Sequence, residues 1–193
     1  RPRGMIVALC SGSADGTSAP AWQRSFTLAE PWSPPAPRPR DYDLAALLQR
    51  PGTVSPIRFD DEAETAWAGS LGVPMIAGVP HFHPPRALPC VRLLDAGATH
   101  PYGPRSLALI EAGGTVLDLG CGIKSAEQYR PNVVHLDAGH FPAVDVVNTG
   151  ADLPFHDGVF DTVVSQAVFE HLPDPAHTAA EILRVLKPGG RVL

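Results

Sequence analysis

Between Thr115 and Val192 the sequence repeats one grammar: a short apolar run rich in β-branched residues, a turn of glycine, proline or aspartate, then helical or loop sequence before the next run. Thr115-Val116-Leu117-Asp118-Leu119 is the first run, Val133-Val134-His135-Leu136 and Val144-Asp145-Val146-Val147 follow, Asp161-Thr162-Val163-Val164-Ser165 is the fourth, and Val192 opens a fifth. Near-continuous apolar runs of this length read as strands buried on both faces, which requires helices above and below a parallel sheet. The intervening sequence supplies them. Ser106 to Ala112 predicts a short helix ended by Gly113-Gly114, and Asp174-Pro175 predicts a second, with the aspartate as cap and the proline in the first helical position. Along that second helix Ala179, Ile182, Leu183 and Leu186 fall at i, i+3, i+4 and i+7 and predict its buried face, and Lys187-Pro188-Gly189-Gly190 closes it. Alternating strands and helices imply right-handed crossovers, so the expected fold class is α/β: a parallel sheet with flanking helices that reads as truncated after the fifth strand.

The first hundred residues obey different rules. Residues 1–40 contain Ser11-Gly12-Ser13-Ala14-Asp15-Gly16-Thr17-Ser18 and then Pro31-Trp32-Ser33-Pro34-Pro35-Ala36-Pro37-Arg38-Pro39-Arg40, a composition that favours extended, solvated chain. Residues 41–90 predict a small module. Asp41 to Gln49 places Leu44, Leu47 and Leu48 at helical spacing behind an aspartate that can cap, with Pro51-Gly52 as the stop. Val73 to Phe82 is the most strand-like piece of the remainder. Residues 91–193 form the expected α/β domain.

Charge and cysteine content narrow the function classes. All of the net charge of −5 lies in the second half, where residues 101–193 hold six basic against eleven acidic side chains, so no basic stripe is available to track a nucleic-acid backbone. Cys10, Cys90 and Cys121 are odd in number and far apart, which disfavours a disulfide framework or a four-ligand metal site and fits a reducing, cytoplasmic setting. His81 and His83 share one face of an extended segment but lack further ligands, so no metal is expected. The early apolar run from Met5 to Cys10 is shorter than the roughly 7–15 residues of a signal-peptide core, and no run reaches the roughly 20 residues of a membrane span.

In an open parallel sheet, ligands sit beyond the carboxyl ends of the strands where strand order reverses, which directs attention to Asp118-Leu119-Gly120-Cys121-Gly122-Ile123-Lys124. Gly120 and Gly122 allow close backbone approach and expose amides. The second strand ends at Asp137, a carboxylate able to accept hydrogen bonds from both hydroxyls of a ribose. Cys121, between two glycines, is expected for its small size rather than for reactivity.

Five ordered blocks then carry a resemblance: Val116 to Gly122, Asp137, Ala151 to Asp161, Val168 to Pro175, and Glu181 to Gly190. Together they resemble the type 11 methyltransferase domain of the class I S-adenosylmethionine-dependent family over residues 105–193, which implies a Rossmann-like sheet with S-adenosylmethionine as cofactor. The resemblance implies that the Gly120 and Gly122 backbone lines the methionine part, with Asp118 near its amino group, that Asp137 holds the ribose, and that Ser165 and Gln166 border the methionine part and the transferable methyl. Where the family has an aspartate near the adenine amino group this chain has Thr149, with Asp152 close enough to substitute. Lys124 replaces a third glycine, and its side chain either points to solvent or crowds the cofactor. His171 is the candidate base for an acceptor that must lose a proton, and the expected acceptor is a small-molecule or lipid-like compound. Residues 44–85 also resemble a zinc-ribbon-like module that has lost its cysteines. Two other readings stay open: a non-catalytic or truncated protein of the same fold, and a nicotinamide-dependent oxidoreductase, for which Ser125 stands where the third glycine of Gly-x-Gly-x-x-Gly is expected.

Overall fold

In a computed structural model describing residues 39–53, 55–60, 65–68, 71–76, 78–82, 100–139, 141 and 143–193, the first regular element of the described residues is helix α1 (Leu44–Leu47). The Asp43 carboxylate caps it by accepting from the Ala45 and Ala46 amides. The helix expected to reach Gln49 stops at Leu47, because a single turn is weak alone and stronger bonds compete for the next residues. Gln49 N donates to Pro154 O, His156 N donates to Leu47 O, and Leu48 is fully buried. The expectation of little packed structure over 1–40 falls, apart from Pro39 and Arg40, outside the described residues, as does His83.

Strands β1 (Ile57–Asp60), β2 (Thr65–Ala68), β3 (Leu71–Ile76) and β4 (Val79–Pro80) pair antiparallel in chain order. Their inward positions Ile57, Ala66 and Val73 are buried. Beyond β4, His81 bridges Val147 in parallel and Phe82 N donates to Val147 O at 2.9 Å, so the small sheet runs into the edge of a larger one.

The larger sheet contains β5 (Val116–Leu119), β6 (Val133–Asp137), β7 (Val146–Val147), β8 (Phe160–Val164) and β9 (Leu186–Val192) in the order β7-β6-β5-β8-β9, every pair parallel. The chain moves outward from β5 to β7 and returns to the other side of β5 at β8. That reversal is the topological switch point at which parallel sheets bind ligands. Helix α2 (Pro104–Glu111) covers one face, where Ile110 meets Val116, Val133 and Val164. On the other face Leu117, Leu119, Val134 and Leu136 share one core with Leu48, Ile57 and Val73 of the preceding module and with helix α3 (Pro175–Val185).

Three sequence expectations shift. The buried face of α3 is Thr178, Ile182 and Val185, at i, i+4 and i+7, whereas Leu183 is 70% exposed. The stripe is centred between Ile182 and Val185, and Leu183 lies about 100° round the helix from Ile182. Strand β7 has two residues rather than four, because Asp145 turns its carboxylate into the core. Finally, Lys187 to Gly190 belong to β9 instead of forming a separate turn. Leu186 pairs with Phe160, the next partner of β8 is Arg191 at Thr162, and the residues between bulge outward.

Two of the resembling blocks form a structural clamp. Arg184 binds Glu181 through two contacts of 2.7 Å and also reaches the carbonyls of Leu153 and Phe155 and the Asp157 carboxylate, while Leu153 N donates to Glu181. These bonds tie the Leu153-Pro154-Phe155 segment to α3 and hold up the Arg184 pKa, chiefly through Glu181. None of these residues lines the cleft at the carboxyl ends of the strands.

Candidate functional site

A cleft of about 820 Å³ opens at the carboxyl ends of β5, β6 and β8, at the switch point. Its size falls in the range of about 300–1,000 Å³ typical of small-molecule sites. Of the residues singled out in the sequence, Asp118, Gly120, Gly122, Asp137, Thr149, Gln166 and His171 line it. Asp152 and Ser165 stand outside the lining: the Asp152 carboxylate meets His177 Nε2 at 2.9 Å, and the Ser165 amide donates to Leu193 O. Asp152 still shapes the wall, since its carbonyl accepts from Asn148 Nδ2, whose Oδ1 takes the Gly150 amide.

Asp137 sits at the end of β6. Its two oxygens accept the Gly122 and Gly139 amides, each at 2.8 Å, which fixes the carboxylate across the mouth of the glycine loop. Burial raises its pKa against the pull of these amides. The Ala138 amide adds to the same pull, so the carboxylate is held by backbone donors at the rim of the cleft.

The glycines serve the protein as well as a ligand. Gly120 has φ +71°, and a Cβ there would lie 2.3 Å from Val168 Cγ2. At Gly122, with φ +61°, a Cβ would lie 2.6 Å from His100 Nδ1. Loops from both sides therefore pack directly on the glycine turn. Val168 follows Ala167, which has φ +53° and is the sole non-glycine residue with positive φ among the described residues. A left-handed alanine costs about 1–2 kcal/mol, and such strain collects at sites whose surroundings enforce it. Sequence reading gave no sign of it.

Lys124 resolves one of the open expectations: its side chain points inward. Only 5% exposed, it places Nζ 2.7 Å from His100 O, 3.4 Å from Asp118 Oδ2 and 4.2 Å from the centre of the Tyr102 ring. Tyr102 donates to the same Asp118 oxygen at 2.7 Å, and its own oxygen lies 3.2 Å from His135 Nε2. Burial and then the Asp118 charge push the Tyr102 phenol upward, so it stays a neutral donor. Cys121, between the two glycines, packs against Val144 and Val147, and burial pushes its thiol well up.

His171 closes the far side of the cleft from a 3-10 turn, Phe169–His171, beside Glu170 and Leu172. Gln166 is held by Ser106, whose hydroxyl donates to Oε1 at 2.8 Å. A second depression, about 690 Å³, lies at the opposite ends of the strands near Thr115, Asn132 and Asp161. There Asp161 already accepts from Thr115 N and Lys187 Nζ, and Asn132 donates to two carbonyls. Among the described residues no three His, Cys, Asp or Glu side chains gather to hold a metal ion, and no helix is long and apolar enough to cross a membrane.

Residues 117–193 match a family model described as a methyltransferase domain, of type 11. A 2-methyl-6-phytyl-1,4-hydroquinone methyltransferase of Synechocystis sp. is 38% identical over 102 residues, 44% of this chain and 32% of that protein. An uncharacterised methyltransferase of Mycobacterium tuberculosis is 35% identical over 106 residues, 50% of this chain and 41% of that protein. The chain thus spans well under half the length of these curated relatives. Among solved structures, a Haloferax volcanii protein in complex with the Trm112 methyltransferase activator is 34% identical, with 40% of this chain and 42% of that one covered and a TM-score of 0.33.

Proposed function

We propose that this chain, whose residues 117–193 match the methyltransferase-domain family model, is a class I S-adenosylmethionine-dependent methyltransferase that binds its cofactor in the cleft and passes the methyl group to a small-molecule or lipid-like acceptor. The observation that carries the reading is Asp137. A carboxylate that lines the cleft and is fixed by backbone amides at the end of the second strand of the sheet suits a ribose diol.

The other side chains fit the group in the same order. Gly120 and Gly122 border the methionine part, with Asp118 and Lys124 beneath them, and Gln166 stands at the methyl end. Thr149 supplies a hydroxyl on the adenine side, where Asp152 supports the loop through Asn148. Ser165 anchors the end of β8 beneath Gln166. When bound, the cofactor's sulfonium supplies a methyl carbon already activated toward a nucleophile. The protein's work is then alignment and exclusion of water. His171 is positioned to accept a proton from the acceptor's hydroxyl as it becomes the nucleophile. The name of the Synechocystis relative supports an acceptor bearing such hydroxyls on an apolar body.

Thermal melting of the full chain with S-adenosylhomocysteine or with NAD tests the class of ligand. A one-site binder at about 100 times its Kd gains about 2.7 kcal/mol, which for a chain of this size raises Tm by roughly 5–10 °C. S-adenosylhomocysteine is expected to give that shift and NAD none. A shift with NAD alone would favour the oxidoreductase reading, and no shift with either would favour a fold that has kept its shape without the cofactor.

A further inference from the structure

We propose that Asp145, His135 and Tyr102 form a buried relay that makes the cleft's hold on its cofactor depend on the docking of residues 39–42, with His135 as the positioning residue; the assignment rests on the cofactor reading above. Neither His135 nor Asp145 lines the cleft, and the side chains of both are fully buried. Taking charged side chains out of water costs about as much as their pairing returns, so stability alone is a poor reason for such a network.

The hydrogen positions follow from the partners. Tyr102 has one hydroxyl hydrogen, and the 2.7 Å bond to Asp118 uses it. The phenol oxygen therefore accepts from His135 Nε2, 3.2 Å away. On the other side of the ring Nδ1 faces Asp145 Oδ2 at 3.4 Å, where a hydrogen meets a carboxylate and a bare lone pair would be repelled. Hydrogens on both nitrogens make His135 an imidazolium between two acids, Asp145 directly and Asp118 through the phenol. The Tyr129 ring, stacked on it with centroids 5.5 Å apart, presents the face that a cation prefers.

Residues 39–42 form one end of the relay. Arg40 donates to Asp145 at 2.6 Å, Tyr42 donates to it at 3.0 Å, and Tyr129 donates to the Pro39 carbonyl at 3.1 Å. Each of these contacts ends on a direct neighbour of His135. The other end is the cleft, which Asp118 lines together with His100 and Pro101, the residues leading into Tyr102. With Arg40 in place, the Asp145 charge is shared between the guanidinium and the imidazolium, and the ring stays turned toward Tyr102. Removing Arg40 leaves the imidazolium as the main counter-charge, so the 3.4 Å contact shortens and the ring draws away from the phenol. Tyr102 and Asp118 then lose their fixed geometry, and a cleft that must be reorganised binds more weakly.

Two measurements on the full chain test the relay. NMR correlation of imidazole nitrogens with ring hydrogens at neutral pH reads His135 directly, with His135→Gln identifying its signals among those of the eight histidines. Hydrogen is expected on both nitrogens, and a bare ring nitrogen would overturn the relay. Calorimetric titration with S-adenosylhomocysteine reads the coupling. Arg40→Gln is expected to bind about 3- to 10-fold more weakly than wild type, and Arg40→Lys, which keeps a cation for Asp145, within about twofold of it. In Tyr102→Phe, which interrupts the relay, adding Arg40→Gln is expected to cost no further affinity. A melting curve for each variant separates loss of stability, which a purely structural network also predicts, from loss of affinity, which it does not. Equal affinity of wild type and Arg40→Gln, or a loss that persists in full in the Tyr102→Phe background, would overturn the relay and leave the cofactor reading intact. A folded wild-type chain that binds no S-adenosylhomocysteine would overturn both.

Discussion

Asp145→Ala is expected to destabilise the protein by about 3–5 kcal/mol, measured by denaturant unfolding, because it strips the anion from a buried charged network. The Asp145 side chain is fully buried and accepts from Arg40 at 2.6 Å, Tyr42 at 3.0 Å and the His135 amide at 2.8 Å, with His135 Nδ1 at 3.4 Å. Removing it takes the acceptor from Arg40 and the His135 amide and leaves Tyr42 with the Val133 carbonyl at 3.2 Å, which loosens the start of the described chain from β6. Asp145→Asn keeps the shape and some of the hydrogen bonds, so it should cost less. Burial works to raise the Asp145 pKa, but the His135 hydrogen bond and the Arg40 charge outweigh it and hold the carboxyl below its ordinary value. A depressed carboxylate contributes stability above its unfolded pKa of about 4, and that contribution is lost as pH falls through the lower folded value. Asp145→Ala should therefore differ most from wild type at neutral pH and converge on it in strong acid. A variant as stable as wild type at pH 7 would show that the network contributes nothing net.

Gly120→Ala is expected to cost about 2–4 kcal/mol and to weaken cofactor binding at least about tenfold, from left-handed strain plus overpacking. The added methyl would stand 2.3 Å from Val168 Cγ2 and 3.0 Å from Cγ1, and a β-branched side chain has no flexible end to move aside. Relief has to come from the backbone of 167–168, whose neighbours Gln166, Glu170 and His171 line the cleft. Val168→Ala removes both clashing methyls, so the double variant should recover most of the overpacking part and keep the strain part. The coupling is read from the four melting curves of the cycle. Additive effects would mean that Val168 yields freely and that the glycine is there for its φ alone.

How much of this was legible in the sequence depends on distance along the chain. The strands of the large sheet announced themselves because burial on both faces leaves a local apolar signature, and Asp118, Gly120, Gly122 and Asp137 were readable because strand ends point at a switch point. The polar network was not. Arg40, Tyr42, Tyr102, Asp118, His135 and Asp145 span more than a hundred residues, and each is an isolated polar residue within otherwise ordinary local sequence. On α3 the i, i+3, i+4, i+7 pattern included Leu183 because apolar character alone cannot distinguish a residue at the edge of a stripe from one beyond it. Lys124 illustrates a third limit. Its position in the glycine loop was evident, but its direction was decided by Asp118, Tyr102 and His100, which only the folded chain brings together.

Calorimetric titration of S-adenosylmethionine and S-adenosylhomocysteine into the wild-type chain and into Asp137→Ala tests the central claim most directly, with Asp137→Asn and a melting curve for each protein to separate folding from binding. The account predicts one site in the wild-type chain and, from the loss of charged hydrogen bonds to two hydroxyls, an affinity lower by about 100-fold or more in Asp137→Ala. A cooperatively folded wild-type chain that binds neither compound, or an Asp137→Ala variant that binds as tightly as wild type, would contradict it.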